Sequence, residues 1–403
     1  MSLFGKKSPT PAAVRTKPAP SAPIAITGLG LACHAGDQPF ELISSILGQV
    51  NGVRLSKAFK FIPANGSEEA LPRMAPVVDI FDIRAYMRMR QLTTIALLNI
   101  AAELSDDVKP ENLLIVIMVD PALITHDSQI DPQQLRSILI AEIPSFTSAT
   151  FRILPNTSAS GSSELRLSIT ELNQGKWQAV IFGGADSFIS METCKKLHQD
   201  KRLNIVGKSQ GIVPGEAAAF VVLQSTESAT KNTIPVLGYL RGVGVAPEPN
   251  ARDADIEITE GLSNAIGQAL TQAGIAATDI QGVVHNLGAE TVQSLEWYKT
   301  TQQIWPRRVS EQQRMAVQMG EIEKADIPDD PIPKIVLPYM TMGEVSAAAL
   351  PIQLATALAW IEYDASQARW GAPIRNHILV CDTPDAPERG ALIISPTLAA
   401  STQ

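Results

Sequence analysis

The 403-residue sequence has only three cysteines, and Cys33, Cys194 and Cys381 stand far apart with no CxxC or Cys/His spacing. This excludes a disulfide framework, gives no zinc-ligand pattern, and fits a cytoplasmic setting. Long apolar runs are also missing. Leu113 to Val119 is short and Ala347 to Ile361 follows a helical period; neither reaches the roughly 20 residues of a membrane span. No transmembrane helix is expected. Positive charge is not in excess, since the formal net charge is −8. A general nucleic-acid binder is therefore disfavoured, because neutralising phosphates takes clustered Lys and Arg.

What is present is the composition of a folded chain, 45% hydrophobic and 18% charged, away from the signature of disorder. The length exceeds that of a usual single core, so two packed halves are the natural expectation. Residues 1–22 carry Lys6, Lys7, Arg15 and Lys17 among Pro9, Pro11, Pro18 and Pro20. Without the apolar stretch of a secretion signal, they read as a flexible tail.

The first half, 23–225, opens with a strand over Ile24 to Thr27 that ends in the glycine turn Gly28-Leu29-Gly30. Helices are expected at Pro39 to Leu47 and Arg90 to Leu104, and a buried strand at Leu113 to Asp120. A helix at Gly161 to Asn173 follows, then a strand at Gln178 to Phe182 running into Gly183-Gly184-Ala185-Asp186, and a strand at Glu216 to Gln224. Ser225 to Thr233 reads as a linker. The second half, 233–403, repeats the order: a strand at Ile234 to Val245, a helix at Glu257 to Ala273, a strand at Ile280 to His285, a helix at Ala347 to Tyr363, and strands at His377 to Cys381 and Ala391 to Ser395. Such alternation implies an α/β fold with largely parallel sheets covered by helices. Two similar halves give a five-layered αβαβα duplication, with one buried helix from each half in the middle. Segments 55–90, 121–155 and 296–335 show no clean period and read as surface excursions.

Five ordered motifs carry a family resemblance: Ile24-Ala25-Ile26-Thr27-Gly28-Leu29-Gly30, Asn156-Thr157-Ser158-Ala159-Ser160-Gly161, Phe182-Gly183-Gly184-Ala185-Asp186, Gly211-Ile212-Val213-Pro214-Gly215-Glu216-Ala217-Ala218 and Gly343-Glu344-Val345-Ser346-Ala347-Ala348-Ala349. The chain resembles the β-ketoacyl synthases of the thiolase-like superfamily over residues 23–395. The resemblance implies a Cys-His-His triad, and each of its positions is altered. Ser158 stands where the family has its nucleophilic cysteine, Leu287 where one histidine is found, and Glu344 where the other is. A serine hydroxyl needs a general base that the helix dipole cannot replace. A leucine forms no hydrogen bond, and an anionic Glu344 would repel a malonyl carboxylate. The family's late Gly-Phe-Gly-Gly loop, which completes the oxyanion hole, is replaced by Cys381-Asp382-Thr383-Pro384-Asp385.

The resemblance therefore implies a chain that is not an enzyme, with no catalytic residue, cofactor or metal, working by binding protein partners. Two such groups are the synthase-like adaptors associated with type VI secretion effectors, which the pattern favours, and chain-length factors that pair with an active synthase. The thiolase-like dimer surface implies a homo- or heterodimer and is expected to include the strand near Gln178 to Phe182. An acyl hydrolase or weak synthase using Ser158, with His285 as base and Glu290 or Glu344 as orienter, is the enzymatic alternative. Glu216 reads as a buried carboxylate holding a loop, and Glu290 with Glu344 make a poor metal pair without histidine neighbours. His34, His126, His198 and His377 have no mutual spacing and read as packed or surface histidines. Cys33 and Cys381 read as small buried hydrophobes. Trp297, Tyr298 and Trp305 form either a satellite core or an exposed partner anchor.

Overall fold

The computed structural model describes residues 22–56, 59–60, 71–77, 80, 84–120, 131–155, 161–208, 210–250, 260–306, 309–324, 332–366 and 377–398. The strands are β1 (Ile24–Cys33), β2 (Arg54–Leu55), β3 (Arg73–Met74), β4 (Leu113–Val119), β5 (Thr150–Pro155), β6 (Ala179–Ser187), β7 (Glu216–Ser225), β8 (Gly238–Pro247), β9 (Ile280–His285), β10 (Lys334–Val336), β11 (His377–Asp382) and β12 (Glu388–Ser395). The helices are α1 (Pro39–Leu47), α2 (Ala85–Glu103), α3 (Pro132–Glu142), α4 (Gly161–Asn173), α5 (Met191–Gln199), α6 (Thr226–Lys231), α7 (Gly261–Ala273), α8 (Thr291–Ile304), α9 (Glu311–Gln318), α10 (Tyr339–Met342) and α11 (Ala349–Ser366).

Ten strands make one mixed sheet in the order β10-β9-β11-β12-β8-β1-β7-β6-β4-β5. Outward from the β1–β8 junction, the first half runs β1, β7, β6, β4, β5 and the second β8, β12, β11, β9, β10. Strand directions match as well. In each half the first two pairings are antiparallel and the last two parallel. The junction is short, from Ile24–Ile26 to Gly238–Leu240. The continuous apolar run Leu-Leu-Ile-Val-Ile-Met-Val of β4 is buried along its whole length, as a strand covered on both faces must be.

Helix α2 covers β1 and α7 covers β8. Each approach is made at a glycine: a Cβ on Gly30 would lie 2.0 Å from the Ala96 carbonyl oxygen, and one on Gly244 1.8 Å from that of Ala265. Between the halves, α4 packs on β12 and α11 on β7 and β11. Their apolar faces share one core that draws on both halves, while separate cores lie under α2 and α7. This is the five-layered, thiolase-like α/β arrangement.

Several expectations are corrected. Segment 121–155 contains α3 and β5, and segment 296–335 contains most of α8, all of α9 and the start of β10. The linker is largely helical, as α6, and β8 begins at Gly238 instead of residue 234. The strand expected to end at Phe182 takes in Gly183 to Asp186 as well, because β6 continues to Ser187. That strand bonds to β4 on one side and β7 on the other, so Gln178 to Phe182 offers no edge for pairing. The sheet edges are β5 and β10. Residues 1–21 of the tail, Ser158 and His126 lie outside the described residues. Among the described residues, no helix is long and apolar enough to cross a membrane.

Candidate functional site

A cavity of about 700 Å³ lies between the halves. It is reached by Met118 near the end of β4, Gly161 at the start of α4, Asn286 just after β9 and Asp382 at the end of β11. Carboxyl ends of strands and a helix start meet here because parallel strands end at the same edge of the sheet, where the segments that follow them converge.

Asp382, in the loop that replaces the family's Gly-Phe-Gly-Gly, reaches the start of α4 across the seam between the halves. Its carboxylate accepts hydrogen bonds from the Ser162 backbone N–H, at 3.1 Å, and from Ser162 Oγ, at 2.9 Å. A carboxylate from the second half thus satisfies a donor in the first turn of α4, at the positive end of its dipole. Burial pushes the Asp382 carboxyl up, opposed by the two Ser162 bonds and by Arg389.

Glu344 also lines the cavity. Its backbone bridges to Pro214, the loop before β7, and its carboxylate accepts from the Ser346 N–H at 2.8 Å. Burial, with Asp385 and Glu290 nearby, pushes its pKa up to about 7, against the Ser346 bond and Arg202. Asp186 is fully buried, its Oδ2 accepting from the Ala347 N–H at 3.1 Å, and burial together with Asp120 holds it well above the usual carboxylate range. Arg202 forks onto both oxygens of Glu290, at 2.8 and 2.7 Å, and reaches Asp385 at 2.8 Å. Glu290 is therefore committed to an arginine and is no partner for a metal with Glu344. Among the described residues, no group of three His, Cys, Asp or Glu could hold a metal ion.

The remaining expected residues are scattered. Leu287 is half-buried and does not line the cavity, whereas its neighbour Asn286 does. His285 is buried outside the lining, its ring edge-on to Trp297 at 5.0 Å, and burial with Arg389 nearby depresses its pKa to about 3. A base shielded in this way has no path to the cavity. Glu216 is fully buried and accepts from Arg88, from the Val77 N–H at 2.7 Å and from Ser187 Oγ at 2.8 Å. All three cysteines are buried, and desolvation pushes the Cys33 and Cys194 thiols up to about 12.

Trp305 is corrected as a partner anchor. It is 2% exposed, its Nε1–H donates to the Ala277 carbonyl at 2.9 Å, and it packs edge-on to the half-buried Trp297. Tyr298 alone of the three faces solvent, at 56% exposure. Arg202 and Gln353, which also line the cavity, had no sequence signal, because they stand outside every motif, and Asn286 was passed over beside Leu287 in the stretch matched to the family's histidine.

With the strand order and site in place, two solved structures can be compared along nearly the whole chain. The ishigamide ketosynthase/chain length factor matches with a TM-score of 0.66 and 17% identity, covering 93% of this chain and 99% of that one. A β-ketoacyl synthase from Burkholderia phymatum STM815 matches with a TM-score of 0.63 and 14% identity, covering 94% and 100%. The fold is that of the β-ketoacyl synthases. No family model matches the chain. A curated relative, the non-reducing polyketide synthase nvfA of Aspergillus novofumigatus, is 23% identical over 168 residues, which is 40% of this chain. The aligned part spans 8% of that much longer protein. These findings correct the expectation of a chain that is not an enzyme: its synthase-fold neighbours and its curated relative are named as ketosynthase, β-ketoacyl synthase and polyketide synthase.

Proposed function

We propose that the chain is a chain-length-factor-like subunit that pairs with an active β-ketoacyl synthase and works as part of that synthase. The end-to-end likeness to a ketosynthase/chain length factor, covering 93% of this chain and 99% of its counterpart, carries the reading. The adaptor reading draws no support from these neighbours, whose names are those of synthase components. Pairing also has a candidate surface: β5 bonds to β4 on one side only, and its Thr150 to Leu154 stretch is half-buried to exposed. A second chain could extend the sheet there, with backbone hydrogen bonds supplying affinity and alternate side chains selecting the partner.

The test is co-expression with a ketosynthase that retains its cysteine and both histidines, followed by sizing with light scattering and analysis of the acyl products. A one-to-one complex whose product length depends on this chain is expected. A synthase that purifies alone, and makes the same products with and without it, would overturn the reading.

A further inference from the structure

We propose that the cavity between the two halves binds an organic cation, a primary ammonium carried on a short apolar body. Seven of its lining residues are carboxylates: Asp120, Glu192, Asp200, Glu290, Glu344, Asp382 and Asp385. Among the described residues, Arg202 and Lys196 are the basic side chains that oppose them. Arg202 is engaged by Glu290 and Asp385, and Lys196 is exposed at the rim, as are Glu192, Asp200 and Asp385, so the inner acids are Asp120, Glu344 and Asp382. The excess of acids over bases in this lining disfavours an acyl carboxylate or a phosphate.

A second observation points to a ligand with donors. Gln353 lies in the second turn of α11, whose other buried residues from Leu350 to Ile361 are apolar apart from Thr356. Gln353 lines the cavity at 1% exposure, and its Oε1 has no hydrogen-bond partner among the described residues. A buried acceptor left unpaired is unfavourable by about 1–3 kcal/mol, and an ammonium supplies three donors. A divalent metal fits less well, because the acids do not converge into a ligand set among the described residues. Met118, Phe188, Leu197, Ile212 and Leu350 line the same space and would take the apolar body.

Glu344 adds a signature. The charged groups acting on it are Asp385, Glu290 and Arg202, and it in turn acts on Asp186 and Tyr339. With its pKa at about 7 it is partly protonated at neutral pH. A bound ammonium favours the ionised form, so binding releases a proton and weakens as pH falls.

This inference does not rest on the pairing proposal and is tested on the purified chain alone. Calorimetric titration with hexylammonium chloride, hexanol and sodium hexanoate, at pH 6 and pH 8, separates charge from apolar contact. Hexylammonium is expected to bind at one site at least tenfold more tightly than hexanol, with hexanoate not binding. Its affinity should drop about tenfold from pH 8 to pH 6, and buffers of different ionisation enthalpy should report the released proton. Glu344→Gln and, independently, Gln353→Leu should each weaken binding several-fold while hexanol affinity is unchanged. Equal affinity for hexanol and hexylammonium, binding of hexanoate, displacement by millimolar Mg²⁺, or absence of proton release in the unaltered protein would each overturn the proposal.

Discussion

The two halves reach their sheet edges by the same strand order, yet they finish differently. The first ends in the six-residue β5, whose Arg152 bonds to Glu164 at 2.7 Å and Glu171 at 2.6 Å on α4. The second ends in the three-residue β10, where Lys334 lies over the Trp360 ring. Their middle helices diverge too: α4 is polar enough to take a carboxylate cap from the other half, and α11 is apolar along most of its length. Each half sets a buried ion pair at the start of its last strand, with reversed polarity. Glu216 on β7 takes Arg88 from α2, whereas Arg389 on β12 takes Glu296 from α8 at 2.7 Å. Topology is shared because glycine approaches and buried apolar strands leave few ways to pack. Polar anchors are free to differ, because any well-bonded pair satisfies the same buried position.

The largest expected effects test whether the reversed pairs are equivalent. Arg88→Met and Arg389→Met each strand a buried carboxylate, and each should destabilise by about 3–5 kcal/mol in urea unfolding. If one is neutral, the halves do not depend on these pairs alike. Gly30→Val and Gly244→Val push a side chain into a backbone carbonyl at matched places, with about 1–3 kcal/mol expected for each. A large loss in one half with none in the other would break the symmetry of the outer layers.

Glu344→Gln probes the seam between the halves. A half-buried acid whose pKa is raised in the fold, as Glu344 is, binds its proton more tightly when folded than when unfolded. It therefore makes stability fall as pH climbs from the ordinary value of 4.5 through about 7. The glutamine variant should lose this slope and exceed the unaltered protein by about 1–3 kcal/mol at pH 8 relative to pH 5. Parallel pH profiles for the two proteins would refute the assignment. The smallest effect is expected at Tyr298→Ser, within about 0.5 kcal/mol on this exposed face. Trp305→Ala, by contrast, should destabilise by about 3–5 kcal/mol.

Where a segment's burial is apolar, the chain could be read directly. Gly161–Asn173 and Ile280–His285 appear with the bounds that periodicity predicts. Helix α8 escaped detection because its buried residues are Glu296, Thr300 and Thr301, a polar inner face with no apolar period. Helix α9 buries nothing, and β5 is a half-exposed edge without a continuous apolar run. At the site, Glu344 and the 381–385 loop stood out as altered motif positions. Leu287 did not reach the cavity although its motif neighbour Asn286 did, while Arg202 and Gln353 carried no local mark.

Apolar periodicity and glycine placement determined the strands, the middle helices and the duplication, because these depend on neighbours a few residues apart. Only the tertiary structure decided which carboxylates face one cavity, which arginine offsets them, and that Trp305 belongs to the core. Those outcomes depend on groups such as Ser162 and Asp382, more than two hundred residues apart in sequence and 2.9 Å apart in space, and burial and charge act through space.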